Sequence, residues 1–256
     1  MTGAAALARP AQTYDGEGAA ALARRLAVPD VALFDTIGST QDVAHALAAR
    51  GAPSHTLVLA DAQTAGRGRF GRSWRSEAGK GIWLTMIERP TDRLAVDVLS
   101  IRVGLAAATA LDGCADLPIR LKWPNDLYRG AGKVGGILLE ARWRAGCLDW
   151  AAIGFGLNLV QPDAVPGGTD LGSRISRLEL LERIVSAIRG AALATGHLDA
   201  SEQRAFAARD WAVGRRARTP VAGVIAGIDA SGALLVDTAN GRLAVRSGSL
   251  TVEEDT

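Results

Sequence analysis

Two long runs of strand-forming residues, Lys133 to Arg144 and Leu148 to Leu159, are joined through Ala145-Gly146. A connection that short fits an antiparallel hairpin. A sheet built on two such arms needs partners, and the flanking sequence supplies both strands and helices. Ser39-Thr40-Gln41-Asp42 reads as a cap, and Val43, Leu47 and a terminating Gly51 complete one helix. Thr56 to Ala60 and Ile82 to Ile87 read as short buried strands. Leu94 to Leu111, with Val98, Ile101 and Leu105 at helical spacing, predicts a core helix. Ile119 to Trp123 alternates and then meets the turn Pro124-Asn125-Asp126. Ser176-Arg177-Leu178-Glu179 has the form of a capping box and predicts a helix running to Gly196. Beyond Arg218 the runs Val221 to Ile228, Leu234 to Asp237 and Leu243 to Val245 are separated by Ser231-Gly232 and Asn240-Gly241, which predicts a small all-β unit. The expected division is an amino-terminal extension over 1–30 with a short helix at Ala19 to Leu26, a main domain over 31–215 and a small β domain over 216–256.

Composition narrows the class. The chain has 256 residues, 48% hydrophobic and 22% charged, close to soluble globular averages. No apolar run approaches the roughly 18 residues a membrane helix needs, so no membrane association is expected. Cys114 and Cys147 fit neither a disulfide framework nor a zinc site, which points to a reducing cytoplasm. The 29 basic and 27 acidic residues nearly cancel, too even a balance for a protein that coats nucleic acid.

Four segments carry chemistry. In Gly66-Arg67-Gly68-Arg69-Phe70-Gly71-Arg72-Ser73-Trp74-Arg75, four arginines alternate with three glycines. Glycine admits close backbone approach, and arginine pairs bidentately with carboxylate or phosphate oxygens. Alone, such a run also describes a solvated basic loop or an RNA-binding segment; its place between two strands argues against a disordered tail. Lys122-Trp123-Pro124-Asn125-Asp126 puts a lysine and a carboxylate across a turn, suited to phosphate and Mg²⁺ and equally to a simple Asx turn. Lys133-Val134-Gly135-Gly136-Ile137-Leu138-Leu139-Glu140 brings a lysine beside bare backbone, or a glycine bulge in a strand. Ile153-Gly154-Phe155-Gly156-Leu157-Asn158 ends a strand on small residues and an amide. None is a Walker loop.

Taken together and in this order, the four segments resemble the biotin protein ligases over about residues 31 to 250. The type resembled is the monofunctional one, without an amino-terminal DNA-binding domain, which would need about 50 residues or more. The resemblance implies an α+β fold: a catalytic domain like that of the class II aminoacyl-tRNA synthetases and the biotin and lipoate ligases, with a mixed sheet flanked by helices, plus a small carboxy-terminal SH3-like β-barrel. It implies ATP and Mg²⁺ as cofactors, biotin as substrate and a biotin carboxyl carrier protein or domain as partner. Nucleic acid and membrane are not implied as partners. Some relatives are homodimers through the central sheet, while others act as monomers.

Residue by residue, the resemblance implies biotin binding by Ser39, Thr40, Gln41, Gln63, Arg67, Gly68, Arg69, Lys133 and Gly136. Gln41 stands where asparagine is commoner in the family. Arg72, Trp74, Lys122, Asn125, Asp126 and Asn158 fall to the nucleotide, with Asp126 the candidate Mg²⁺ ligand; Lys133, Arg67 and Arg69 are the candidate catalytic groups. Trp83 or Trp123 is a candidate wall for the biotin rings. His45, His55 and His197 read as structural or surface residues. The arginine loop is expected to be mobile without ligand. Two alternatives remain at this point: a lipoate ligase or lipoyl/octanoyl transferase, whose transferase members need a catalytic cysteine, and a nucleic-acid-binding module using the Gly-Arg loop.

Overall fold

The computed structural model describes residues 8–163 and 165–253. The first sheet has eight strands: β1 (Arg9–Pro10), β2 (Val31–Ile37), β3 (Leu57–Gln63), β4 (Gly81–Glu88), β5 (Ile119–Lys122), β6 (Asp126–Arg129), β7 (Gly132–Arg144) and β8 (Cys147–Asn158). Their order is β1-β2-β3-β4-β8-β7-β6-β5. All neighbours run antiparallel except β2 and β3, which are parallel. The helices are α1 (Ala19–Arg25), α2 (Thr40–Ala49), α3 (Arg93–Ala110), α4 (Arg177–Ala192) and α5 (Ala200–Arg209). The predicted hairpin is β7 and β8.

Period-2 alternation sorts the two faces of the sheet. On β3, Leu57 and Leu59 point into the larger core under α3 and α4, while Val58 packs beneath α2 with Ala44, Ala48 and Trp150. On β8, Ile153, Phe155 and Leu157 join the larger core. The residues between them, Gly154 and Gly156, open the α2 face, and that face carries the site. Within the expected amino-terminal extension, residues 8–30 hold the predicted short helix as α1 and add β1 to the sheet. Tyr14, Leu22, Leu26 and Val28 are buried in the larger core.

The helix expected from Ser176 to Gly196 stops at Ala192, and α5, which the sequence pattern does not announce, follows. Gly196 takes φ +67°, and its N–H donates to Asp92 Oδ2 at 2.6 Å. Asp199 and Glu202 then form a complete capping box that starts α5. At Ser176 only half of that box forms. Glu179 N–H donates to Ser176 Oγ at 3.2 Å, while the Glu179 carboxylate turns to Arg183.

The carboxy-terminal strands β9 (Arg216–Thr219), β10 (Gly223–Ile228), β11 (Leu234–Thr238), β12 (Gly241–Val245) and β13 (Thr251–Val252) make an antiparallel sheet in the order β12-β11-β10-β9-β13. The strand expected from Val221 begins at Gly223, and β9 precedes it in a stretch with no strand signature of its own. The two sheets meet closely. Trp123 Nε1–H donates to Gly232 O at 2.9 Å. Gly232 takes φ +76°, which favours glycine, and a Cβ there would lie 2.9 Å from Ile101 Cδ1 and oblige that side chain to shift. No helix among the described residues is long and apolar enough to cross a membrane.

Candidate active site

A cavity of about 630 Å³ opens on the α2 face of the first sheet. Ser39, Thr40, Gln41, Gln63, Arg67, Gly68, Arg69, Arg72, Trp74, Lys122, Asn125, Asp126, Lys133, Gly136 and Asn158 all line it. The strand registers explain why segments so far apart in sequence meet. Gly156 pairs with Trp83 of β4 on one side and with Gly136 of β7 on the other. Gly154 pairs likewise with Thr85 and Leu138. The row of glycines leaves a floor without side chains, and the Trp74 indole lies on it. A Cβ on Gly156 would stand 2.6 Å from Trp74 Nε1, and one on Gly136 would stand 3.3 Å from Trp74 Cζ3. Trp74 Nε1 is buried without a hydrogen-bond partner among the described residues.

One wall is a chain of amides and hydroxyls. Gln63 Oε1 accepts from Thr40 N–H at 2.8 Å and from the Thr40 hydroxyl at 3.1 Å. Gln63 Nε2 donates to Ser76 Oγ at 2.7 Å. Thr85 Oγ1 lies 2.9 Å from Thr40 Oγ1 and 3.0 Å from Gln41 Oε1. Gln41 Nε2 donates to Ala152 O at 3.1 Å and more weakly to Leu138 O at 3.4 Å. The Gln41 amide is thus bonded to the sheet, and this residue pins the start of α2 to the floor. Ser39 occupies the cap position, yet its side chain makes no capping bond and is buried instead.

The arginine loop crosses the cavity mouth as a tight hairpin. Gly68 N–H donates to Arg72 O at 2.7 Å, and Trp74 N–H to Gly66 O at 2.8 Å. A Cβ on Gly66 would sit 2.4 Å from Trp74 O, so the crossing requires glycine. Phe70, at the tip, has φ +57° and is exposed. Arg69 is half-buried, while Arg67, Arg72 and Arg75 are exposed, and each guanidinium nonetheless finds a polar partner. Arg67 Nη2 reaches Asp42 Oδ1 at 2.8 Å, Arg69 Nη1 donates to Asn125 Oδ1 at 3.2 Å, and Arg72 Nη2 donates to Ser249 Oγ at 3.0 Å in the carboxy-terminal unit.

Positive charge dominates the far end. Lys133 Nζ pairs with Asp126 Oδ1 at 2.7 Å and lies 5.1 Å from the centroid of the Trp74 ring system. Lys122 Nζ lies 3.2 Å from the Tyr128 hydroxyl and 4.9 Å from the Trp211 ring centroid. Burial lowers the Lys122 ammonium below the usual lysine range, with Asp126 opposing the shift. Burial also lowers the Arg69 guanidinium and, with Asp126 adding to it, pushes the Tyr128 phenol up to about 12. Partly desolvated cations of this kind favour an anion brought among them. Among the described residues no three His, Cys, Asp or Glu side chains come together as a metal cage. Asp126 supplies one carboxylate beside two lysines. That donor set fits Mg²⁺ carried in on phosphate oxygens, an ion that keeps most of its ligands from phosphate and water.

Trp123 lines the cavity, but its N–H serves the junction between the sheets. Trp83 is buried beneath Trp74, ring centroids 6.4 Å apart. Cys114 is buried at the end of α3 and Cys147 is exposed on the hairpin; neither lines the cavity. Sequence reasoning did not name Ser76, Thr85, or Ser249 to Thr251. Alternation along β4 places Thr85 on the α2 face, a signal available once β4 is set against Gly154.

Residues 33–158 match the biotin/lipoate A/B protein ligase family, and residues 215–250 match the biotin protein ligase C terminal domain. The biotin–[acetyl-CoA-carboxylase] ligase of Paracoccus denitrificans is 36% identical over 214 residues, covering 76% of this chain and 89% of that protein. The chain belongs to the biotin/lipoate ligase family. Another family member, the bifunctional ligase/repressor BirA of Bacillus spizizenii, is 37% identical over 162 residues, 59% of this chain and 50% of that protein. The chain thus spans about half the length of these bifunctional relatives. Among solved folds of the family, the biotin protein ligase of Aquifex aeolicus in complex with biotin and ATP superposes with a TM-score of 0.72. It covers 88% of this chain and 99% of that one at 24% identity, a likeness of fold.

Proposed function

We propose that this chain activates biotin with ATP to biotinyl-5′-AMP and pyrophosphate, then transfers the biotinyl group to a lysine of a biotin carboxyl carrier domain. The observation that carries this reading is convergence. The four segments that resemble the ligases meet around one cavity, apolar and amide-lined at the glycine floor and cationic beyond it. A flat bicyclic urea with an anionic tail, followed by a triphosphate, matches that gradient from end to end. Free cysteines fit work in a reducing cytoplasm.

Two anions must approach before the first bond can form. Biotin's carboxylate oxygen attacks the α-phosphorus, and the bond from that phosphorus to the bridging oxygen breaks as pyrophosphate leaves. In this reading Lys133 faces the carboxylate and the α-phosphate, Arg67 and Arg69 cover them from the loop, and Lys122 and Arg72 take the departing phosphates. Placing fixed positive charge where negative charge builds lowers the barrier with little reorganisation. Mg²⁺ on the phosphates, when held by Asp126, adds Lewis-acid stabilisation of the same charge. Gln63 and Thr40 orient the ureido ring, and Trp74 packs between ring and floor. Asn158, whose Nδ2 donates to Thr169 O at 3.1 Å, shapes the nucleotide end. In the second step the neutral acceptor amine attacks the acyl carbon and AMP leaves with the bonding pair. Neither step needs an enzyme nucleophile, in keeping with cysteines that stand away from the cavity. That placement disfavours a transferase working through a cysteine thioester, and the near balance of 29 basic and 27 acidic residues disfavours a nucleic-acid surface.

The test is acid-dependent adenylate formation. Incubation with ATP, Mg²⁺ and either biotin, lipoate or octanoate, followed by separation of nucleotides, is expected to give an acyl-adenylate with biotin alone. A lipoyl or octanoyl adenylate in its place would overturn the substrate assignment, and no adenylate with any acid would overturn the reaction.

A further inference from the structure

Arg67 reaches its place through contacts that begin outside the cavity. His45 lies on α2 one turn beyond Asp42, its side chain largely buried. Its Nδ1 is 2.9 Å from Trp150 Nε1. An indole N–H can only donate, so Nδ1 accepts, and the neutral ring keeps its one proton on Nε2. That N–H meets Glu140 Oε2 at 2.7 Å. The same oxygen lies 3.5 Å from Arg67 Nη2 and 3.7 Å from Arg142 Nη2. Glu140 therefore stands between two guanidiniums, one in the arginine loop and one on its own strand. The imidazole decides where the carboxylate rests, because it ties Oε2 to α2.

We infer that His45 is a positioning residue for the arginine loop: by fixing Glu140 it gives Arg67 a second anchor beside Asp42 and slows escape of the activated intermediate. Without the imidazole, Glu140 regains its rotamer freedom and Arg142 competes for it. Arg67 is then left with Asp42, an exposed pair that water screens heavily. A carboxylate held by a half-buried N–H donor is a firmer partner than a free one. The inference rests on the function proposed above for the consequence, though not for the anchoring itself.

Two readouts separate the two. The wild type, His45→Ala and His45→Gln are compared for tryptic cleavage after Arg67 and Arg69 in the absence of ligand, with fragments assigned by mass. They are then compared for the rate of biotinyl-5′-AMP release in a chase with unlabelled intermediate. His45→Ala is expected to speed both loop cleavage and release by about three- to tenfold, the scale of removing one charge-assisted hydrogen bond. It should raise the KM for biotin while leaving the maximal rate of adenylate formation within about twofold. His45→Gln, whose amide can donate to Glu140, should recover most of the wild-type behaviour. Unchanged cleavage and release in His45→Ala would overturn the inference. So would His45→Gln behaving like His45→Ala at wild-type thermal stability, since that assigns the effect to packing. Should the wild type form no adenylate, the functional reading fails, and the cleavage rates still decide whether His45 anchors the loop.

Discussion

Replacing Gly156 with alanine is expected to damage the site while leaving the fold in place. Gly156 sits in mid-strand between two paired neighbours, and its φ is not in the left-handed region, so alanine suits its backbone. Relief of unfolded-chain entropy favours alanine there by about 0.5–1 kcal/mol. The cost falls on Trp74. The new Cβ would lie 2.6 Å from Nε1 and 2.7 Å from Cε2 of the indole. Restoring ordinary contact at about 3.4 Å lifts the ring by roughly 0.8 Å into the cavity, the difference between 3.4 and 2.6 Å. Overpacking of this size costs about 1–3 kcal/mol, or roughly five- to 150-fold in affinity. Displacement near 1 Å also disturbs Lys133, which lies over the same ring. Titration calorimetry with biotin and steady-state adenylate formation should show the Kd and KM for biotin rising by up to that range, at a melting temperature equal to or modestly below wild type because the strain at Trp74 offsets the entropic gain. Unchanged biotin affinity in a normally folded Gly156→Ala protein would refute the account of the floor.

Lys133→Ala should lower adenylate formation by about 10²-fold or more with little change in stability, since the side chain's ion pair is with the partly exposed Asp126; single-turnover quench-flow measures it, and a near wild-type rate would contradict the role. Arg69→Gly removes the bond to Asn125 and should hasten loss of biotinyl-5′-AMP in a filter-retention assay, with retention equal to wild type as the contrary result. Asp210 is buried, its Oδ2 lacks a partner among the described residues, and burial raises its pKa above the usual aspartate value. The folded state therefore holds its proton to higher pH than the unfolded state, so this group's contribution to stability falls as pH climbs from the unfolded aspartate range through the raised folded value. Asp210→Asn should gain in melting temperature relative to wild type between pH 4 and pH 8, and scanning calorimetry that shows a constant difference would contradict it.

The parts of the site legible in sequence were those whose chemistry is local. Arginine and glycine alternating from Gly66, the lysine before Gly135-Gly136 and the Asn125-Asp126 turn announce anion contacts within a few residues, and each segment lines the cavity. The hairpin was legible because a short connection between two long apolar runs has few solutions. Strand order was not, since the pairing of β4 with β8 joins segments about 70 residues apart without any local mark. The same non-locality hid Thr85, whose value comes from facing Gly154. It hid His45 too, which looks like an ordinary helix residue until Trp150 and Glu140 are brought to either side of it. Gln41 lines the cavity as its position in the sequence suggested, and its bonds to the sheet were not legible there. Its amide bonds to Ala152 and Thr85, partners that come from β8 and β4 and leave no local mark beside it. α5 escapes a sequence reading because the capping box at Asp199 follows directly on Gly196, a glycine that reads as the end of one longer helix.

The central claim is two coupled half-reactions at one cavity. Intact-mass spectrometry of a biotin carboxyl carrier domain incubated with this protein, biotin, ATP and Mg²⁺ tests it most directly. The account predicts one biotinyl group added to the carrier, dependent on ATP and on the carrier's acceptor lysine, with biotinyl-5′-AMP accumulating when the carrier is left out. A carrier of unchanged mass beside accumulating adenylate would contradict the transfer step, and modification by a lipoyl or octanoyl group alone would contradict the identity of the acid.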